Sequence, residues 1–555
     1  MHPGVPLRHE PALSPRRKRT RAYPDPAATR EPGTQAGAAR GGARRRGLAL
    51  AAVLLAASVV LLANLGDQRL WQDEAETALV SGTILTHGIP LGSDGRNSFS
   101  QELGQDYGRG QVSLRHPWLA FYVLAGCFAV LGRSTLAARL PFALFGIATV
   151  VLACVFATSL WRSRRAGLLA ALILLLNVPF LLLARQCRYY APDMFFSLLA
   201  LHAYCGLLER RRFAGAVFAL SAILLFHTQY VHYAALLAAV GVHALLFHRD
   251  RLRPVLVVAG VTVLVNAPWI AWFAAMGRFV GSRSDVGART FSFAGAYLQQ
   301  ADRYLFPAPL LLVPLLLWLH ARSVRPKRRL LGPDAGSRLA LLLLFVSTIL
   351  ATASLTSAYP FFRYLAPAIP VACLVTALVL DSLVRAHRLV GTVAAVLVLG
   401  LLARSWSLPD YLYEITHHYD GPVDGIVRYL GGHARQDDVV AITYEDLPVK
   451  FYTGLRVVGG LTGEDLSPAK SADWVIIRKY VVSEKDLAVR QFLLSEVPQA
   501  DYDAIRVPFP DVAFQNREEP DLHRFRTAQG EDDVTLFHRR AHPGRGPGSP
   551  VRLVP

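Results

Sequence analysis

Three carboxylates, Asp73, Glu74 and Glu76, stand in the stretch RLWQDEAETALVSGTIL, a few residues beyond the apolar run GLALAAVLLAASVVLLANL. A carboxylate at the edge of a bilayer can take the proton of an attacking hydroxyl. Later in the chain, RQCRYYAPD (185–193) supplies Arg188, Tyr189, Tyr190 and Asp193, FHTQYVHY (226–233) supplies His227, Tyr230 and His232, and SAYPFFRYLAP (357–367) supplies Arg363 and Tyr364. Guanidinium forks suit phosphate, and aromatic faces pack on the C–H surfaces of sugars. Such a set could transfer a sugar from a polyprenyl phosphate. Asp73 or Glu74 would be the base, and Arg188 and Arg363 would hold the phosphate. Tyr189, Tyr190, His227, Tyr230 and Trp118 would form the sugar platform. Cations or a metal would stabilise the charge building on the departing phosphate.

Each residue also has a plainer reading. Asp73 equally suits the N-cap of a helix over 74–86, whose Ala75, Ala78, Leu79 and Leu85 form an apolar stripe. Arg188 and Arg363 read singly as interfacial snorkelling residues. His227 and His232 read singly as satisfied core histidines, and Asp193, after Pro192, as a helix cap. The functional reading rests on their falling on a common side.

That common side follows from the elements that carry them. The 555 residues are 53% hydrophobic and 18% charged, and apolar runs of membrane-spanning length recur from residue 47 to about 405. In lipid these runs must be helices. Basic clusters fall at 161–165, 209–212, 248–253, 322–329 and 385–388. Placing all five in the cytoplasm gives eleven crossings, near 47–65, 138–160, 166–184, 194–208, 214–228, 231–247, 254–276, 305–321, 339–356, 365–384 and 389–404. The apolar segment 118–132 is too short to join them without inverting every later cluster, so it reads as a short or re-entrant piece. The N-terminus is then inside. The loops 66–117, 185–193, 226–233, 277–304 and 357–367 lie outside, and with them Asp106, Arg115 and His116.

The net charge of +19 belongs to these loops and to the tail, not to a nucleic-acid surface. Residues 1–46, with eleven Arg or Lys against three acids, read as a disordered basic cytoplasmic tail, and 47–405 as the transmembrane domain. From about 405 polar residues rise. DDVVAITYEDLPVKFYTGLRVVGG, ADWVIIRKYVV and DDVTLFHRR read as strands with turns, and GPVDGIVRYLGGHA as a helix with a glycine stop. Residues 406–540 thus read as a small extracytoplasmic α/β domain, and 541–555 as a disordered tail. The five cysteines have no paired spacing and read as core filling.

In order along 47–380, WQDEAETALVSGTILTHGIP, RHPW, the segment from RLPFALFG to RQCRYYAPD, and FFRYLAPAIP make the chain resemble the GT-C type, polyprenyl-phosphate-dependent glycosyltransferases. It is most similar to family 39, which includes protein O-mannosyltransferases and aminoarabinose transferases. The resemblance implies a mostly α, polytopic bundle of about 11–13 helices in a bacterial plasma membrane. It implies an inverting transfer to a lipid, glycan or protein acceptor on the outer face, with Asp73 as base and Glu74 second. It maps the family's second acid to Asp193 and its Arg-Tyr turn to Arg363 and Tyr364. Where the family often has a second proline and a lysine, this chain has Trp118 and no lysine, so His116 or Arg115 stands in that place. The family leaves a divalent ion near Asp73 and Asp193 as an option, and nothing in the sequence requires one. The alternative function is a transporter or flippase of a lipid-linked sugar, which would want ionisable groups or broken helices near the midplane in repeated halves. No duplicated pattern is present in the sequence.

Overall fold

Apolar runs bounded by basic or Gly/Pro punctuation fold as the helices their length demands. The computed structural model describes residues 32–114, 116–275, 286–306, 334–481, 483–513, 516–540 and 549–555. Among them, seven helices are long and apolar enough to cross a membrane: Thr135–Trp161, Tyr190–Leu208, Tyr230–Phe247, Arg249–Trp272, Ala335–Thr356, Ala368–Arg385 and Arg388–Ser405. The expected crossing at 166–184 is a broken pair, Arg164–Leu176 and Val178–Arg185, bent by 70°. The break has a local cause. Asn177 leaves the helical region, its side chain accepts from the Phe180 amide at 2.9 Å, and Pro179 starts the second piece. Three shorter apolar helices, Gly47–Leu62, Leu119–Leu131 and Ala214–Phe226, complete the apolar set, and the expected helix at 305–321 lies outside the described residues. The chain is an integral membrane protein with a helical bundle.

Two stretches read as outer loops are helical. One is α1 (Gln72–His87). Its first-turn donor, the Trp71 amide, points to the Glu74 carboxylate at 3.4 Å, so Glu74 rather than Asp73 caps the helix. Gly88, at φ 74°, closes it with its amide on Ile84 O. Ala75, Ala78 and Leu79 are buried as the stripe predicts, while Leu85 is exposed. The other is α2 (Val286–Tyr304), within the segment expected as a long loop. Tyr297 is fully buried and its hydroxyl reaches Ser357 Oγ at 2.7 Å.

After the last apolar helix the chain builds a five-stranded sheet in the order β2-β1-β3-β5-β4, with β1 Val439–Ile442, β2 Arg456–Gly459, β3 Trp474–Ile476, β4 Tyr502–Pro510 and β5 Asp533–Arg539. The first three strands are parallel and the last two antiparallel. GPVDGIVRYLGGH forms the expected helix, Pro422–His433. EDLPVKFYT, read as strand and turn, is instead the helix Asp446–Thr453, the crossover that parallel neighbours β1 and β2 require. Strand β4 and the helix Glu484–Glu496 were not anticipated.

The sheet side packs on the bundle within one compact unit from Leu50 to Pro555. The Leu70 amide donates to Tyr452 Oη at 2.9 Å, and that hydroxyl also meets Thr135 Oγ1 at 2.8 Å. Lys450 and Asp446, both fully buried, pair at 2.7 Å, and Asp446 also accepts from Gln72 Nε2 at 2.8 Å. The end of the chain joins this seam, against the expectation of a disordered tail. Val554 N donates to Tyr452 O at 2.8 Å, and Pro555 O accepts from Thr135 N at 2.9 Å. Residues 541–548 lie outside the described residues. The five cysteines are unpaired, with Cys154, Cys187 and Cys373 buried.

Candidate active site

The first turn of α1 sends two neighbouring carboxylates in different directions, because successive helical residues are about 100° apart. Glu74 is fully buried. Arg139 grips it with Nε on Oε1 at 2.8 Å and Nη2 on Oε2 at 2.7 Å. The Cys187 amide adds a bond at 2.7 Å and Asn516 Nδ2 one at 3.2 Å. The remaining Arg139 donors hold the carbonyls of Leu65, Gln68 and Arg69. Glu74 therefore ties together the end of the first apolar helix, the turn before Tyr190 and the sheet-side chain.

Asp73 faces the other way. Its Oδ2 lies 3.0 Å from Arg363 Nη1 and 3.7 Å from Arg188 Nη2, and its side chain keeps 15% of its surface exposed. Burial alone would raise the Asp73 carboxyl, but Arg363, Arg188, Arg517 and His116 together hold it below the usual carboxylate range. Arg188 Nη1 also donates to Asp73 O at 2.9 Å, Thr77 Oγ1 at 2.9 Å and Glu76 Oε2 at 3.1 Å. Glu76 takes a further bond from Gln101 Nε2 at 2.7 Å. His116 Nε2 is 3.4 Å from Arg188 Nη2, and its ring sits 5.7 Å from that of Tyr189. Arg115 lies outside the described residues.

The loops before Tyr190 and before Ala368, more than 170 residues apart in sequence, thus meet at α1. Tyr189 and Tyr190 meet with centroids 4.7 Å apart and their planes tilted by 60° beside these arginines, and burial pushes the Tyr189 phenol well above its ordinary range. Arg363 also lies over the rings of Phe361 at 4.3 Å and Trp71 at 5.8 Å. Tyr364 contributes its backbone carbonyl, which His232 Nε2 contacts at 3.1 Å. Asp193 is fully buried and faces His232 Nδ1 at 2.7 Å. Trp118 and His227 pack in an aromatic cluster with Trp269.

A divalent ion does not fit the proposed pair of acids as they stand. Asp73 shares an oxygen with two guanidiniums and Asp193 faces an imidazole. Among the described residues, no group of three or more His, Cys, Asp or Glu side chains is placed to hold a metal.

Sequence reasoning missed the contribution of the connection between β4 and β5. Asn516 reaches Glu74, Arg517 lies 5.2 Å over the Trp71 ring, and Glu518 Oε1 is 3.8 Å from Arg363 Nε. Tyr444, just beyond β1, is close enough for Asp73 and Arg517 to act on it electrostatically. Arg139 was missed as well. An arginine inside the apolar run AARLPFALF was the available signal, since a buried charge there demands a partner.

No family model matches the chain, and no curated protein does. Solved structures do. The chain is similar to the crystal structure of ArnT from Cupriavidus metallidurans in the apo state, with a TM-score of 0.53 at 14% identity over 90% of this chain and 98% of that one. It is also similar to ArnT from Cupriavidus metallidurans bound to undecaprenyl phosphate, with a TM-score of 0.51 at 15% identity and the same coverage. The chain has the GT-C fold.

Proposed function

We propose that the chain is a membrane glycosyltransferase that moves a sugar from a polyprenyl phosphate to an acceptor on the extracytoplasmic face, with inversion at the anomeric carbon. One observation carries this reading: the partly open carboxylate of Asp73 is set among Arg188, Arg363 and Arg517, with Glu76 and Glu518 on the far sides of Arg188 and Arg363, where the apolar bundle meets the sheet side. Guanidiniums converging on a partly open carboxylate offer an anion a place beside a base. The likeness of fold to ArnT bound to undecaprenyl phosphate supports a lipid phosphate as that anion.

In the reaction, the donor phosphate takes the guanidiniums of Arg188 and Arg363, and the Asp73 carboxylate is released from them. The acceptor oxygen attacks the anomeric carbon as the bond from that carbon to the phosphate oxygen breaks. The bonding pair leaves with the polyprenyl phosphate, whose charge the arginines stabilise. The acceptor proton passes to Asp73. His116 and Tyr189, beside Arg188, would meet the donor, and Tyr364 would act through the turn that carries Arg363. Glu74 positions the turn without touching substrate. The N-terminus is cytoplasmic in this arrangement, and the sheet covers the site from outside.

Purified protein incubated with a panel of undecaprenyl-phosphate sugars and candidate acceptors tests the reading. Loss of the sugar from the lipid, with an inverted product linkage, is the expected result. Intact donors across the panel, or a product of retained configuration, would count against it.

A further inference from the structure

We infer that Asp193 and His232 form a positioning pair that sets the turn carrying Arg363. The inference rests on Arg363 as a ligand of the donor phosphate. His232 has an acceptor on each ring nitrogen: Asp193 Oδ2 is 2.7 Å from Nδ1, and the Tyr364 carbonyl is 3.1 Å from Nε2. The carbonyl can only accept, so Nε2 carries a hydrogen. A neutral ring would then turn the Nδ1 lone pair toward a carboxylate. A second proton must therefore lie between Nδ1 and Asp193, held as imidazolium with carboxylate or as imidazole with carboxylic acid. Both side chains are sealed, at 2% and 0% exposure. The other Asp193 oxygen has no hydrogen-bond partner among the described residues, so an unshared charge there would be costly.

The held carbonyl is in the right place to matter. Tyr364 follows Arg363 in a single 3-10 turn, Phe362–Leu365, between two apolar helices. So short a turn has poor hydrogen bonds of its own and takes its orientation from outside. Upstream, Tyr297 holds Tyr359 O at 3.3 Å, Gln300 holds Pro360 O at 2.8 Å and Glu519 accepts from Phe362 N at 3.4 Å. Downstream of Arg363, His232 supplies the side-chain anchor. Pinned on both sides, the Arg363 fork stays aimed at the position that Asp73 Oδ2 now fills. Asp193 reaches the site through His232 and need not touch substrate.

The test is equilibrium binding of undecaprenyl phosphate to the full-length protein in detergent, with monodispersity and melting temperature as folding controls. Wild type binds, and R363A binds at least about tenfold more weakly, the scale of one charge-assisted hydrogen bond. D193A and H232F lose affinity to a similar extent, and D193A adds little to R363A in the double variant. D193N recovers to within about threefold, because its amide N–H donates to Nδ1 of a neutral ring whose Nε2–H still holds Tyr364. Wild-type affinity in D193A and H232F, beside a weakened R363A, would overturn the pair while leaving Arg363 in place. A D193N as weak as D193A would overturn it too, by giving Asp193 a role that needs its charge. Unaltered binding in R363A, or none in wild type, would remove the phosphate reading beneath it.

Discussion

Around Glu74 the contacts are enclosed and led by short ones: two bonds from Arg139 below 2.9 Å and the Cys187 amide at 2.7 Å, with Asn516 and the Trp71 amide farther off and no exposure. Around Asp73 the ion pairs are longer, at 3.0 and 3.7 Å, the guanidiniums are shared with Glu76 and Glu518, and part of the side chain is open. The two residues are adjacent, yet one is mortar and the other is exchangeable. A closed bidentate pair with complementary amides has nothing to offer a ligand. On the proposed mechanism, a carboxylate whose own ion pairs are long gives up its share of two well-placed guanidiniums to a stronger anion and keeps its basicity for a proton. The contrast assigns the two acids different duties without any appeal to sequence position.

The largest effect should come from breaking the closed side. Removing Glu74 leaves Arg139, itself 4% exposed, as an unpaired buried charge, which costs about 3–5 kcal/mol. E74A should therefore lower the melting temperature sharply or prevent recovery of monodisperse protein. A melting temperature equal to wild type would show that the Glu74–Arg139 pair is not structural. Next comes the open side. D73N should keep its fold and lose roughly 10²–10⁴-fold in turnover, the usual worth of a general base. Its pH behaviour sharpens the point. In the free enzyme, where burial is outweighed by Arg363 and its neighbours, the Asp73 carboxyl titrates below the usual range, so kcat/KM should hold down to low pH. In the donor complex the arginines are engaged elsewhere, and the acid limb of kcat should lie at higher pH than that of kcat/KM. Superimposed limbs would mean that the guanidiniums never leave Asp73.

A smaller change tests whether the guanidinium fork or only its charge is needed. R363K keeps the cation but loses the planar donor pair. It should raise the apparent KM for the lipid donor by roughly tenfold, with kcat less affected. An unchanged KM would take Arg363 off the phosphate.

How far the sequence could anticipate this contrast depends on the range of the interactions. The bundle was legible because lipid imposes helix length and apolarity on each segment by itself. The grouping of Asp73, Arg188 and Arg363 was legible in outline because basic clusters set the parity of the crossings. What separates Asp73 from Glu74 was not legible. It depends on Arg139 and on Asn516, Arg517 and Glu518, which arrive from 65 and more than 440 residues away. Nothing within NREEP itself ties it to α1; the connection between β4 and β5 delivers it there. The helix Asp446–Thr453 was misread because its short EDLPVKFYT run carries a proline, which a helix accepts in its first turns. The break at Asn177 was readable in NVP but was passed over for the hydropathy on either side.

A third carboxylate on the seam gives the smallest and most specific test of counting cations. Asp424 is buried, as Glu74 is. It has one guanidinium in hydrogen-bond reach, Arg69 Nε at 3.2 Å, the Gly421 amide at 3.2 Å, and Arg428 acting on it from farther off. Here burial wins over Arg69, the Gly421 amide and the more distant Arg428, and the carboxyl is pushed up to about 6. The sign follows from linkage. Between the unfolded value near 3.8 and about 6, the native state binds the extra proton, so stability falls as pH rises through that window. The cost of ionisation is complete above it, on the order of 2–3 kcal/mol at most. D424N preserves the shape and removes the titration. The difference in melting temperature, D424N minus wild type, should therefore grow from pH 4 to pH 6.5 and then level off. A difference that shrinks over that range would show that Arg69 alone neutralises Asp424, and that the number of guanidiniums is not what distinguishes the three acids.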